Sequence, residues 1–301
     1  MRRLLILLAL TACVTAPTKP TAPSAMILGI AQDGGYPQAG CRQSNCIEAW
    51  KHPSKQLHVT SLAIIDPVSR QRWIIDATPD LPLQLAHLDA EAPFGKIDGI
   101  FLTHAHIGHY LGLAHLGREV MGTKDVPVYA MPRMRQFLSR NGPWDQLVSL
   151  HNIEIRPLED GVTIQLNERI SITPLLVPHR DEYSETVGFI VRGPTRSLLW
   201  LPDIDKWEKW TTPVESVIAR VDEAFLDGTF FDEQELPGRS LSEIPHPTMS
   251  ESMTRFSTLR EKERAKINFI NLNQSNPALR DRSVVTKHGF SIGTEGTRFR
   301  L

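Results

Sequence analysis

The sequence predicts an α/β protein in which layers of helices enclose two sheets. Two patterns carry this expectation. Short apolar runs of strand length alternate with amphipathic stretches of helical period, and no fixed-period repeat is present. Several of the apolar runs stop directly at a histidine or an aspartate, and ligand-binding groups of α/β folds gather at the carboxyl ends of strands. The chain has 301 residues, 41% of them hydrophobic, enough for a sizeable core in one large domain or two small ones. Its formal net charge of −1 lacks the basic surplus that would mark nucleic acid as a general partner. No apolar run is long enough to cross a bilayer as a helix.

The chain opens with Arg2 and Arg3, a short apolar stretch over residues 4–10, and Thr11-Ala12-Cys13. A positive segment, an apolar core and small residues have the layout of an export signal. Leu10-Thr11-Ala12-Cys13 resembles the lipobox of bacterial lipoproteins. That resemblance implies removal of residues 1–12, lipidation of Cys13, and a protein anchored to the membrane facing the periplasm or the cell exterior. An ordinary secretory signal and a buried amino-terminal helix are the alternatives. Residues 13–25, rich in Pro and Thr, read as a tether, and residues 26–301 as the folded domain.

Residues 25–31 form the first expected strand, which breaks at Gln32-Asp33-Gly34-Gly35-Tyr36-Pro37. We read this as a tight turn, although two glycines also admit close approach of a ligand. Cys41 and Cys46 then offer three readings: a disulfide, half of a structural metal site, or two free thiols. Residues 59–65 and 72–75 read as a hairpin whose second strand stops at Asp76. An aspartate at that point is well placed to accept an imidazole N–H. Residues 82–90 read as a short helix with His87 exposed, and residues 126–130 as a strand. Residues 131–141 form an amphipathic helix with Arg133, Arg135 and Arg140 on its solvated face. Short strands and turns fill residues 153–177, and the last strand runs into His179. Residues 188–191 and 197–201 pair about Gly193-Pro194, and the second strand leads to Asp203. A helix over 214–221, a strand over 224–226 ending at Asp227, and His246 in a proline-flanked loop follow. A helix over 249–260, a strand over 267–272 and a last strand near 289–292 complete the expected order.

The stretch that organises the rest is the apolar run 97–102 and its continuation, Thr103-His104-Ala105-His106-Ile107-Gly108-His109. Imidazole is the commonest metal-binding side chain. Residues two apart in an extended segment point the same way, so His104 and His106 face one ion while His109 turns to a neighbouring position. Residues 110–122 read as a helix on which His115 packs.

Thr103-His104-x-His106-x-Gly108-His109 resembles the T-H-x-H-x-D-H signature of the metallo-β-lactamase superfamily, with Gly108 where that family has aspartate. The resemblance implies a four-layer αβ/βα sandwich with a metal cleft along one edge of its two sheets. It implies His104, His106 and His179 as ligands of a first metal, and His109 and His246 as ligands of a second. Asp203 is the implied bridge, and Asp203 and His246 are placed at the reaction centre. Zinc with three protein ligands keeps a position for water and lowers its pKa to about 7. Gly108 removes one carboxylate, so the expectation is one firmly bound Zn2+ and a weaker second; two histidines and a carboxylate also suit Fe2+. Asp205 and Asp227 are the nearby acids available to compensate, and Gly108→Asp is expected to raise occupancy of the second position. Arg180, Glu182 and Tyr183 directly follow His179 and are expected to touch substrate.

Further stretches are similar to the pyrroloquinoline quinone biosynthesis protein B family: Gly34-Gly35-Tyr36-Pro37-Gln38, Phe225-Leu226-Asp227-Gly228-Thr229-Phe230, and residues 270–277. Together they cover roughly residues 26–296. That family's cysteine triplet is reduced here to Cys41 and Cys46. The three-histidine loop and the export signal set this chain apart from quinone assembly itself. The implied activity is hydrolysis of an ester, phosphodiester or lactam-like bond in a small-molecule substrate. An iron-dependent oxygenase and a non-catalytic ligand-binding lipoprotein are the alternatives. Oligomeric state is not legible.

Overall fold

The computed structural model describes residues 21–235, 238, 240 and 243–301; the expected signal over residues 1–12 and Cys13 lies outside the described residues. The first half of the chain builds one sheet from β1 (Ser24–Gly29), β2 (Ser61–Asp66), β3 (Gln71–Ile75), β4 (Gly99–Phe101), β5 (Val126–Ala130) and β6 (Ile153–Pro157). The second half builds another from β7 (Ile164–Gln165), β8 (Ser171–Val177), β9 (Thr186–Arg192), β10 (Ser197–Leu201), β11 (Glu223–Asp227), β12 (Ile267–Ile270) and β13 (Ser291–Ile292). A final strand, β14 (Arg298–Arg300), returns to pair antiparallel with β1. Among the described residues each sheet has seven strands, in the orders β14-β1-β2-β3-β4-β5-β6 and β13-β12-β11-β10-β9-β8-β7. Both switch midway from antiparallel to parallel pairing: β3, β4, β5 and β6 run parallel, as do β10, β11, β12 and β13.

Alternation along the first-sheet strands explains the layering. Ile27, Leu62, Ile64, Trp73, Ile75 and Phe101 face the second sheet and join its Phe189, Trp200 and Phe225 in one buried cluster. Their neighbours Met26, Leu28, Ala63, Ile65, Ile74 and Ile100 point the other way. There they pack with Leu81 and Leu88 of α2 (Leu81–Glu91), Met134 and Leu138 of α4 (Pro132–Arg140), and Leu147 of α5 (Trp144–Ser149). On the second sheet, Val214 and Val217 of α6 (Val214–Ile218) and Phe256 of α7 (Met249–Phe256) extend the inter-sheet cluster. The order helix, sheet, sheet, helix is the expected αβ/βα sandwich.

Several expectations need correction. The tether gives way to the domain before residue 26: β1 starts at Ser24, Arg169 donates to the Thr21 carbonyl at 2.7 Å, and Leu301 N–H donates to the Pro23 carbonyl at 2.9 Å. The helix expected over 110–122 is one turn of α3 (Ile107–Tyr110) followed by a 3-10 segment, Leu111–Leu116. The cause is close backbone approach: Gly112 N–H donates to the Ala77 carbonyl at 2.9 Å, and a Cβ at Gly112 would run into the Thr78 carbonyl. Helices α1 (Ser44–Lys51) and α5 were not expected, because both are short and bury few side chains. Strand β14 was missed because Arg298-Phe299-Arg300 carries a single apolar residue.

Candidate metal centre

The strand ends place the site. Thr103 follows β4, and its N–H donates to Asp76 Oδ1 at 2.8 Å, across the end of β3. Asp76 takes a left-handed conformation, φ 68°, and its own N–H donates to the Phe101 carbonyl at 2.8 Å. The buried carboxylate therefore faces the histidine loop. His109 Nδ1 sits 2.7 Å from Asp76 Oδ2, and Thr103 Oγ1 bridges Asp76 Oδ2 (2.9 Å) and His104 Nδ1 (2.9 Å). A carboxylate only accepts, so His109 donates through Nδ1. Thr103 has one hydroxyl proton, which goes to Asp76, so His104 Nδ1 donates to Thr103. Both rings are thereby fixed with Nδ1 as the donor and Nε2 turned toward the site. The loop is tied to the second sheet by Ala105 N–H to Ser184 Oγ at 2.8 Å and Val187 N–H to the Thr103 carbonyl at 3.1 Å.

From the second sheet, His179 follows β8 and Asp203 follows β10; Asp205 N–H holds the two segments together through the Pro178 carbonyl at 2.7 Å. Asp227, the last residue of β11, accepts from Thr229 N–H and Oγ1 and from Ile204 N–H, and stands 2.8 Å from His246 Nδ1. This fixes His246 as it fixes His109, through a buried carboxylate behind the ring. Helix α7 starts just after His246, where Thr248 and Glu251 cap one another reciprocally.

Among the described residues, three overlapping groups have ligand atoms all within 4.8 Å of one another: His104, His106 and His179; His104, His109 and Asp203; His179, Asp203 and His246. Asp203 joins the second and third groups. His104 Nε2 lies 2.8 Å from His106 Nδ1, close to the roughly 3.3 Å that separates two nitrogens on one tetrahedral zinc. His109 Nε2 lies 3.2 Å from Asp203 Oδ2.

Buried polar atoms normally find partners. Among the described residues, both ring nitrogens of His179, His109 Nε2 and Asp203 Oδ2 are buried without a hydrogen bond. Asp203 shares one ligand group with His109 and another with His179, and a donor set of imidazole nitrogen and carboxylate oxygen fits a divalent cation. Burial pushes His179 down to about 3 and His104 well below the ordinary histidine value, so both are neutral and able to ligate. Burial opposes charge on His109 as well, but Asp76 and Asp203 outweigh it and raise its pKa well above the usual range. Asp203 is the converse case: burial would raise it, yet His109 and the other imidazoles hold it well below the usual carboxylate range.

The remaining candidates lie as follows. Arg180 Nη2 is 2.9 Å from His106 Nε2, with Glu182 Oε2 3.0 Å from the same nitrogen. Tyr183 is exposed and rests on Phe137, ring centroids 5.4 Å apart. Asp205 does not compensate for Gly108: its Oδ2 is held by Lys209 at 2.6 Å. Asp227 stands behind His246 instead. Cys41 and Cys46 form a disulfide, so neither serves a structural metal. Sequence reasoning missed Thr103 and Ser184 as loop supports, and Asn271, whose Nδ2 donates to Asp203 Oδ1 at 3.0 Å. It also missed Asp33, whose Oδ1 accepts from Gly108 N–H at 3.1 Å and lies 3.7 Å from His109 Nε2. The signal was there in the first case: Thr103 directly precedes His104 in the motif.

Comparison with known proteins fits this geometry. Residues 71–267 match the sequence profile of a Beta-lactamase superfamily domain. Coenzyme PQQ synthesis protein B of Methylorubrum extorquens (strain PA1) is 25% identical over 310 residues, spanning 92% of this chain and 99% of its own length. The Zn(2+)-bound PqqB structure from Methylobacterium extorquens superposes with a TM-score of 0.76 at 22% identity, covering 92% of this chain and 100% of that one. A diphosphatase from the PhnP family superposes with a TM-score of 0.67 at 20% identity, covering 93% of this chain and 97% of that one.

Proposed function

The chain belongs to the beta-lactamase superfamily, and from that premise we propose that it is a zinc-dependent hydrolase of an ester, phosphodiester or lactam-like bond. The observation that carries this reading is the convergence of buried, unpartnered donor atoms from His109, His179 and Asp203 beside His104 and His106. When bound there, zinc supplies a Lewis acid that polarises the scissile group and makes water nucleophilic near neutral pH.

The protein's own part is positioning. His104, His106 and His179 would hold one cation, and His109 and His246 a second, with Asp203 between. Asp76, through Thr103 and directly, keeps His104 and His109 in the ligating tautomer; Asp227 does the same for His246. Arg180 stands on the rim beside His106, where a guanidinium favours an anionic substrate. That favours the phosphodiester among the three bond classes, and the fold likeness to a diphosphatase supports it. Tyr183 on Phe137 offers an apolar shelf at the same rim.

The test is a panel of bis-p-nitrophenyl phosphate, p-nitrophenyl acetate and a chromogenic cephalosporin with zinc-loaded protein. Phosphodiester hydrolysis is expected, abolished by chelation and reduced at least a thousandfold in His104→Ala and Asp203→Asn. Zinc-loaded protein that cleaves none of the three overturns the reading, as does bound iron with oxygen-dependent turnover. We further propose that the protein is exported and membrane-anchored through lipid on Cys13. Cys13→Ser should move it from the membrane to the soluble fraction; unchanged membrane partitioning would reject the anchor.

A further inference from the structure

The aspartate missing at position 108 has a counterpart elsewhere in the chain. Asp33 lies in the turn that follows β1, and its side chain occupies the space a side chain at position 108 would fill. A Cβ built on Gly108 would lie 2.5 Å from Asp33 Cα and closer still to Asp33 Oδ1. The two positions exclude each other: a residue larger than glycine at 108 cannot coexist with Asp33 where it stands. Gly108 is therefore the complement of Asp33, and Gly108→Asp alone would collide with Asp33.

We propose that Asp33 supplies a carboxylate ligand to the second cation position, on its His109 side, in place of the family's motif aspartate. The proposal rests on the metal centre argued above. Asp33 Oδ1 is anchored by Gly108 N–H at 3.1 Å and lies 3.7 Å from His109 Nε2, a nitrogen buried without a hydrogen bond. A carboxylate oxygen has a second lone pair to offer once that N–H is satisfied.

The turn that carries Asp33 is fixed on both sides, as a ligand requires. Gln32 N–H donates to the Leu272 carbonyl at 3.0 Å, and Gly35 N–H returns to the Gln32 carbonyl at 2.8 Å. Gly35 has φ +71°, which suits glycine. Tyr36 pairs with Leu57 through both backbone bonds, and its hydroxyl donates to the Asn45 carbonyl at 3.1 Å. Asn45 belongs to the helix that the Cys41–Cys46 disulfide ties to the segment just after this turn. A carboxylate from the start of the first sheet thus reaches a loop 75 residues away, the separation of Asp33 and Gly108.

The experiment titrates zinc into wild type, Asp33→Asn, Asp33→Ala, Gly108→Asp and Asp33→Gly/Gly108→Asp, with elemental analysis after desalting. Manganese-loaded samples are read by electron paramagnetic resonance for coupling between two ions, and circular dichroism checks folding. Two ions per wild-type chain are expected. Asp33→Asn and Asp33→Ala should keep one and bind the second at least tenfold more weakly, losing the coupled signal. The double variant should regain the second ion where Gly108→Asp alone does not. Folded Asp33→Ala with wild-type stoichiometry and affinity overturns the role of Asp33 and leaves the metal centre standing. Wild type without any bound metal overturns both. Loss of the second ion in protein that hydrolyses nothing upholds Asp33 as a ligand and rejects only the hydrolase reading.

Discussion

Replacing Asp76 by asparagine changes one atom and should disable one cation position. Asn tolerates the left-handed backbone of this residue, φ 68°, so the turn survives. The amide oxygen can stay where Oδ1 is and keep both Thr103 donors, at 2.8 and 3.0 Å. The amide nitrogen then replaces Oδ2, 2.7 Å from His109 Nδ1. It donates to Nδ1, which must become an acceptor, and the ring proton moves to Nε2, facing Asp203. The lone pair that would ligate is gone. Losing a carboxylate behind a ligating histidine typically costs 10–100-fold in metal affinity, about 1.4–2.8 kcal/mol. The loss should fall on the position of His109, while that of His104, His106 and His179 shifts by less than about threefold. Competition titration against a zinc chelator measures both. Asp76→Ala adds left-handed strain of about 1–2 kcal/mol and strands the Thr103 N–H, so it should also melt below Asp76→Asn. If Asp76→Asn binds two zinc ions with wild-type affinity, the tautomer argument is wrong.

His179 is buried with both nitrogens unpartnered, so His179→Leu should leave metal-free stability equal or higher while cutting the rise in Tm that zinc produces to the part due to the second ion, read by scanning calorimetry with and without chelator. The Cys41–Cys46 bridge closes a short loop, separation 5, and its removal in Cys41→Ser/Cys46→Ser should cost about 2 kcal/mol, seen as a lower midpoint in urea under oxidising conditions. The hydrogen bond to Glu295 raises the pKa of His58 over the opposing effect of burial. Its contribution is present in full below the unfolded histidine's pKa of about 6.5 and fades as pH rises through the folded value. Glu295→Gln should therefore lose more Tm relative to wild type at pH 5.5 than at pH 8.5.

The strand ladder was legible because its residues are apolar along whole strands, and strands at 126–130 and 197–201 fell where the alternation put them. His104, His179, Asp203, Asp76 and Asp227 were legible because each stands at or just past the end of an apolar run, whereas His106, His109 and His246 were legible from motif spacing and family resemblance. What escaped depends on contacts between distant segments. Asn271 reaches Asp203 across the second sheet, and nothing in its neighbourhood announces an acceptor. Asp33 looked like a turn residue because its partner, Gly108, is visible only once β1 and the histidine loop are side by side. The 3-10 segment after His109 escaped for the same reason, since Gly112 is pressed against the Thr78 backbone by packing rather than propensity.

The bonds from Ala105 to Ser184 and from Thr103 to Val187 join the two banks of the cleft at one end. They clamp the histidine loop to the opposite sheet, so a change in register at one bank is felt at the other. Amide protons at Ala105 and Val187 should be among the slowest of the cleft to exchange with solvent.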